Sequence, residues 1–350
     1  MEINMGNHSR IDYIDSMKGL AILLMVMGHV IAWQFPNPVA MLNDDGPRST
    51  MFLFRFIYSF HMPLLMFCSG LFVIRGIGIS LRDVGMSIWK RVQSLILPSI
   101  FTGGLLWLQR GNFGYWFLWT LFQFIVISLL LYYVCERIPK YGKHVYVTIL
   151  CFISLGTMLF LPKLMPFERL PLIDIGHLRF FPYFCFGIIC NQYKLIEKVM
   201  SKNWVYTISL LIFGFLTYWI TIEGNHIPKQ SVTGCVLPIS AIVLLIYLFK
   251  EGLSGASKAE LWLQKLGKHS LEVYILHLFF LFPMYRVGEY VQEHVNNVVG
   301  GQLVFFVQTI TSLIVSVVIV YLCYLVMNII NKSSLLSLLL LGRKSEKHAV

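Results

Sequence analysis

Lys18 and His29 stand eleven residues apart in Met17–Phe35, a stretch otherwise apolar enough to cross a bilayer. Eleven steps of 100° pass three full turns by about 20°, so the two side chains share one helical face, about 16 Å apart along the axis. Ionisable groups inside hydrocarbon are unfavourable enough that function is their default reading. Lys18 lies at the end of the span, where it can pair with Asp15 three residues earlier or snorkel to the headgroups. His29 lies about 18 Å along the helix, near the midplane of a core about 30 Å thick, and cannot snorkel. An imidazole there is a catalytic base, a proton relay, or a neutral histidine bonded to a neighbouring helix. Gly28 beside it lets another helix or a substrate approach the backbone closely.

Two further histidines fall in apolar runs. A span over 52–73 carries His61 about 14 Å from its start, so His61 and His29 reach a similar depth from opposite sides of the membrane. Pro63 removes a backbone donor two residues later and leaves carbonyls free to bind something polar. His277 has Tyr274 three residues before it and Glu272 near the helix start. It is either a bundle histidine bonded to a carbonyl or part of a polar, inward-facing substrate surface. Lys90 and Arg91 precede a third span on the same side as Lys18, as an ordinary basic anchor or as a clamp for the phosphates of a soluble cofactor. On the opposite side Trp116 and Trp119 open a fourth span within an aromatic cluster. Such a cluster is an interfacial belt or a platform for sugar rings. The segment carrying Glu168, Arg169, Asp174, His177 and Arg179 is the most charged on that side and is placed to face a polar substrate.

These residues need a membrane scaffold, and the composition supplies one. Of 350 residues, 57% are hydrophobic and 13% charged, a balance that would give a water-soluble globule large exposed apolar patches. Apolar runs at 17–35, 52–73, 94–109, 115–134, 145–162, 204–222, 232–249 and 303–330, with weaker ones at 177–191 and 270–285, predict an all-α polytopic protein of about ten transmembrane helices. Lys and Arg alternate between successive loops as that number requires. Arg75, Arg82, Lys90 and Arg91 join Lys18 and the basic loops at 137–143, 194–202, 250–268 and 332–347 on one side, so both termini are expected in the cytoplasm. The net charge of +11 faces anionic lipid headgroups and calls for no nucleic acid. The first apolar run has no small-x-small cleavage pattern and reads as an anchor. Seven scattered cysteines show no ligand spacing, so they read as packing residues and no metal is expected. A single membrane domain over 1–341 is followed by a polar tail, 342–350.

Ile14-Asp15-x-x-Lys18-Gly19-x-Ala21-Ile22, closed by Gly28-His29, resembles the opening helix of the membrane acyltransferase-3 family of bacterial O-acetyltransferases. Phe60-His61-Met62-Pro63 with Ser69-Gly70, Trp116-Phe117-Leu118, Phe181-Pro182 with Gly187, and Tyr274-Ile-Leu-His277 extend the resemblance to about residue 285. The resemblance implies a ten-helix, multi-pass protein of the bacterial inner membrane. Its activity would move an acyl group, usually acetyl from cytosolic acetyl-CoA, to a hydroxyl of a cell-surface or lipid-linked glycan. It assigns the catalytic histidine to His29 and its basic partner to Lys18, where many members have Arg. Lys18 with Lys90 or Arg91 would then hold the CoA phosphates, and His29 would act as general base or transient acyl carrier. His61 would orient His29 or bind acceptor, while Trp116, Trp119, His177, Arg179 and His277 are candidate acceptor contacts. A second family signature, Arg-x-x-Arg, is incomplete, with Arg91 present and Ser94 at the second position. The competing class is a glycan transporter or flippase, proton-coupled through the three histidines.

Overall fold

The computed structural model describes residues 12–34, 48–78, 80–111, 113–164, 175–219, 233–252, 257–282 and 300–343. Among these, every regular element is helical: α1 (Asp12–Gln34), α2 (Arg48–Gly70), α3 (Leu81–Arg91), α4 (Leu97–Arg110), α5 (Trp116–Cys135), α6 (Gly142–Leu164), α7 (Phe181–Tyr193), α8 (Asn203–Thr217), α9 (Val236–Tyr247), α10 (Lys258–Lys268), α11 (Ser270–Leu276), α12 (Gly300–Ile330) and α13 (Ser334–Leu341). Among the described residues five rods are long and apolar enough to cross a membrane: Asp12–Ala32, Leu81–Arg110, Trp116–Cys135, Gly142–Phe160 and Thr309–Ile330. The chain is thus an all-α polytopic membrane protein. The expected spans at 52–73, 177–191 and 232–249 coincide with α2, α7 and α9, and Asn203–Thr217 and Ser270–Phe280 are shorter apolar helices.

The third span differs from its expectation. It does not begin after Lys90 and Arg91 but continues from α3 through a π-helical turn, Val92–Ile96, into α4. Ser80 starts this rod by accepting the Asp83 N–H at 3.1 Å. Pro98 has no N–H to offer the Ser94 carbonyl, which favours a widened turn just before it. The basic pair therefore lies inside a rod of 30 residues. The basic loop expected at 250–268 also contains a helix, α10, whose N-terminus Ser257 caps by accepting the Glu260 N–H at 3.1 Å.

α1 is the central helix: 72% of its apolar window is buried in the protein, against 17% for Gly142–Phe160. Its neighbours reach it closely because glycines stand at the crossings. A Cβ on Gly19 would overlap the Leu263 carbonyl of α10, and one on Gly267 would overlap the Asp15 carbonyl of α1. Gly70 and Gly187 form the same reciprocal contact between α2 and α7, against the carbonyls of Phe184 and Phe67. In lipid, helix association rests on such packing rather than on expulsion of water. Gly19→Ala is therefore expected to destabilise the purified protein by about 1–3 kcal/mol. Gly104→Ala, where an added Cβ meets nothing within 4 Å, should leave thermal unfolding in detergent unchanged or slightly raised. Equal melting temperatures for Gly19→Ala and wild type would remove this crossing as a determinant of the fold.

Candidate active site

Lys18, Ile22, Met25 and His29 recur at helical intervals along one face of α1. Lys18 and Ile22 line a cavity of about 330 Å³, and three other helices contribute similar ladders. α2 supplies Leu65 and Ser69 and the turn after it Phe72, α5 supplies Phe117, Leu121 and Ile125, and α11 supplies Ser270 and Tyr274. Each ladder that carries a histidine reaches it just beyond the cavity. His61 is one turn past Leu65, His277 is three residues past Tyr274, and His29 is two turns past Ile22. The cavity thus has a basic end, with Lys18 and Arg91, and an aromatic end, where Tyr274 lies 5.2 Å from Phe117 and 5.8 Å from His277 between ring centroids.

At the basic end the Lys18 ammonium is held rather than loose. Its Nζ lies 3.3 Å from the Asp15 carboxylate and 5.2 Å from the centroid of the Phe72 ring. Asp15 is itself buried, at 4% exposure, so the pair is anchored where a flexible surface pair would contribute little. Arg91 lines the cavity, whereas Lys90 is exposed and is not among the lining residues. A site with one guanidinium, one ammonium and a mostly apolar shaft can hold an anionic head and accommodate a long, thin, uncharged tail.

At the deep end His29 Nδ1 lies 3.0 Å from His277 Nε2. The two rings are only 11° from parallel, with centroids 5.1 Å apart. That separation is close to the greatest that a 3.0 Å contact between ring nitrogens permits, so the rings lie edge to edge in nearly one plane and do not overlap face to face. His277 is fully buried, while His29 keeps some accessible surface. The expectation for His61 was to orient His29 or to bind acceptor; the imidazole bonded to His29 is that of His277. His61 bonds its own helix, donating from Nδ1 to the Ile57 carbonyl at 2.7 Å, and packs edge-on against Tyr58 at 4.8 Å. Gly28 makes room for that tyrosine, since a Cβ there would come within 2.7 Å of the Tyr58 ring.

Trp116, His177 and Arg179 form a separate group. The Trp116 ring stacks on His177 at 4.1 Å and 17°, and the Arg179 guanidinium lies 4.9 Å from the Phe180 centroid beside them. Trp119 is exposed on α5. Glu168, Arg169 and Asp174 lie outside the described residues. Among the described residues no cluster of three or more His, Cys, Asp or Glu could hold a metal ion. Sequence reasoning missed the groups that secure α11 and the segment that follows it. Tyr115 donates its hydroxyl to the Ile275 carbonyl at 2.6 Å, and Arg110 donates to the Leu281 carbonyl. It also left Glu272 unpartnered; the structure pairs it with Arg343 at 3.1 Å, so the segment expected to begin a polar tail is docked on α11. Only the interrupted apolar pattern of 270–285 signalled that this helix end would need side-chain partners.

Comparison with known proteins bears on which chemistry this arrangement serves. Residues 11–111 and 107–325 match the profile of the acyltransferase domain of the acyltransferase-3 family. Nodulation protein NolL of Sinorhizobium fredii (strain NBRC 101917 / NGR234) is 29% identical over 209 residues, 53% of this chain and 50% of that protein. Nodulation protein NolL of Mesorhizobium japonicum (strain LMG 29417 / CECT 9101 / MAFF 303099) is 27% identical over 146 residues, 36% of this chain and 37% of that protein. The chain therefore spans at most about half the length of these curated relatives. No solved structure matches. The family profile covers most of the chain, from the helix of Lys18 and His29 to that of His277 and beyond, and the chain belongs to the acyltransferase-3 family of membrane acyltransferases.

Proposed function

We propose that this protein is an integral membrane O-acyltransferase that moves an acyl group, acetyl in the first instance, from cytosolic acyl-CoA to a hydroxyl of a cell-surface or lipid-linked glycan. One observation carries the reading. A cavity with Lys18 and Arg91 at one end is built from ladders that lead, on three different helices, to His29, His61 and His277. Family membership supports acyl transfer over transport without modification. The positive-inside pattern supports a cytosolic position for the basic end, with ten spans, both termini in the cytoplasm and a bacterial inner-membrane location.

In this reading Lys18 and Arg91 bind the phosphates of CoA, and the apolar shaft receives the pantetheine arm. The rise of about 16 Å from Lys18 to His29 is comparable to the reach of that arm. His29 takes the proton of the acceptor hydroxyl as its oxygen bonds to the acyl carbon, and returns that proton to the departing sulfur as the carbon–sulfur bond breaks. His61 lies beside this centre on α2 and helps shape the acceptor space. In the same reading the Trp116, His177 and Arg179 group contacts the sugar on the far side.

Inside-out membrane vesicles incubated with acetyl-labelled CoA test the reaction class. Wild-type protein should transfer label to glycan and His29→Ala, at matched protein level, should lose at least about 10²-fold of the rate. Undiminished transfer by His29→Ala would sink the mechanism, and glycan translocation without any labelling would favour the transporter. A second series concerns the donor. Lys18→Glu and Arg91→Ala should each raise the KM for acetyl-CoA roughly tenfold or more, about 1.4 kcal/mol, while Lys18→Arg and Lys90→Ala stay near wild type. A uniform KM across the four would place the donor elsewhere.

A further inference from the structure

We propose that His277 is a positioning residue that fixes the tautomer of His29, with the proton on Nδ1 and the bare Nε2 as the base. The inference rests on the reading of His29 as the catalytic base and adds what sets its protonation pattern. The argument begins at two carbonyl groups. His277 Nδ1 lies 2.7 Å from the Tyr274 carbonyl oxygen and 3.2 Å from that of Val273. A carbonyl only accepts, so this nitrogen must carry a hydrogen. In a fully buried neutral imidazole the other nitrogen, Nε2, then has none and can only accept. Its partner at 3.0 Å is His29 Nδ1, which must therefore donate. A neutral His29 with hydrogen on Nδ1 has an unprotonated Nε2.

The geometry agrees with that assignment. A ring nitrogen's lone pair lies in the plane of the ring, and the two imidazoles meet edge to edge in nearly one plane. Tyr274 is among the last four residues of α11, whose carbonyls run short of partners within the helix. Its neighbour Ile275 meets the same shortage by accepting from the Tyr115 hydroxyl. The end of α11 thus supplies an acceptor that orients His277, and His277 in turn orients His29. When His29 takes a proton at Nε2, its Nδ1–H to His277 becomes a charge-assisted bond and strengthens. His277 neither gains nor loses a proton in the cycle. Using a neutral imidazole here avoids burying a carboxylate in the membrane interior.

Two measurements on the full-length protein test this. In nitrogen-15 histidine-labelled wild-type protein, magnetic resonance should show His29 protonated at Nδ1 and bare at Nε2, with His277 showing the same pattern. His277→Phe, which keeps a flat ring and removes the acceptor, should lower kcat roughly 10²-fold or more with little change in KM, and His29 should then show both tautomers. His277→Gln, which restores an acceptor oxygen near the position of Nε2, should recover kcat to within about tenfold of wild type. A His29 protonated at Nε2 in the wild type would overturn the proposal whatever the activities. So would full turnover by His277→Phe when His29→Ala has none. Activity retained by His29→Ala would instead overturn the reading of His29 as base, with the resonance experiment still deciding its tautomer.

Discussion

The contact on which the rest of the site depends is the one between α1 and α10, where two backbones touch through Gly19 and Gly267. α10 is joined to α11 by the single residue His269, so docking α10 on α1 also fixes where α11 begins. From that start α11 runs alongside α1 in the same sense, with Ser270 at the level of the Lys18 cavity and His277 bonded to His29. A side chain on either glycine would push the two helices apart and carry the histidine pair with them. Packing at a place with no chemistry of its own thus sets the distance between groups that have it.

Polar satisfaction in an apolar interior supplies the second constraint. An unpartnered donor or acceptor at this depth is unfavourable by several kcal/mol, and the structure shows partners for the groups that matter. Lys18 has Asp15 and Phe72, His61 has the Ile57 carbonyl, the carbonyls at the end of α11 have Tyr115 and His277, and the Leu281 carbonyl beyond it has Arg110. Glu272, buried at 5% exposure, is paired with Arg343 and lies 3.6 Å from His269. Unlike the other two histidines, His29 keeps some accessible surface, and its Nδ1 is bonded to His277. An imidazole held by one edge, with some surface left accessible, is a disposition that suits acid–base work.

Much of this was legible in the sequence, where it depends on residues close in the chain. The shared face of Lys18 and His29 follows from a spacing of eleven, the Asp15–Lys18 pair from a spacing of three, and the room at Gly28 from the missing side chain. Contacts between distant segments were not legible. His61 and His29 were placed at a similar depth, yet depth leaves rotation about the helix axis undetermined. His277 is the partner because α11 is turned by the α10 docking and by Tyr115, neither of which leaves a periodic signal. α10 itself was hidden by its charges, since a short amphipathic helix between membrane spans reads as a basic loop. The division between Lys90 and Arg91 likewise needed the continuous rod through Val92–Ile96, which decides that Arg91 lines the cavity and Lys90 does not.

The central claim is that an acyl donor enters at Lys18 and Arg91 and delivers its reactive carbon to His29. The most direct measurement is photocrosslinking of the membrane-embedded protein with an acyl-CoA analogue that carries a photoreactive group in its acyl chain, followed by peptide mapping. The account predicts adducts at Met25–His29 of α1 and at Tyr274–His277, where α11 ends, that excess CoA suppresses and Arg91→Ala weakens. Adducts confined to the lipid-facing surfaces of α6 or α8, or labelling at the histidines that CoA does not compete with, would contradict it.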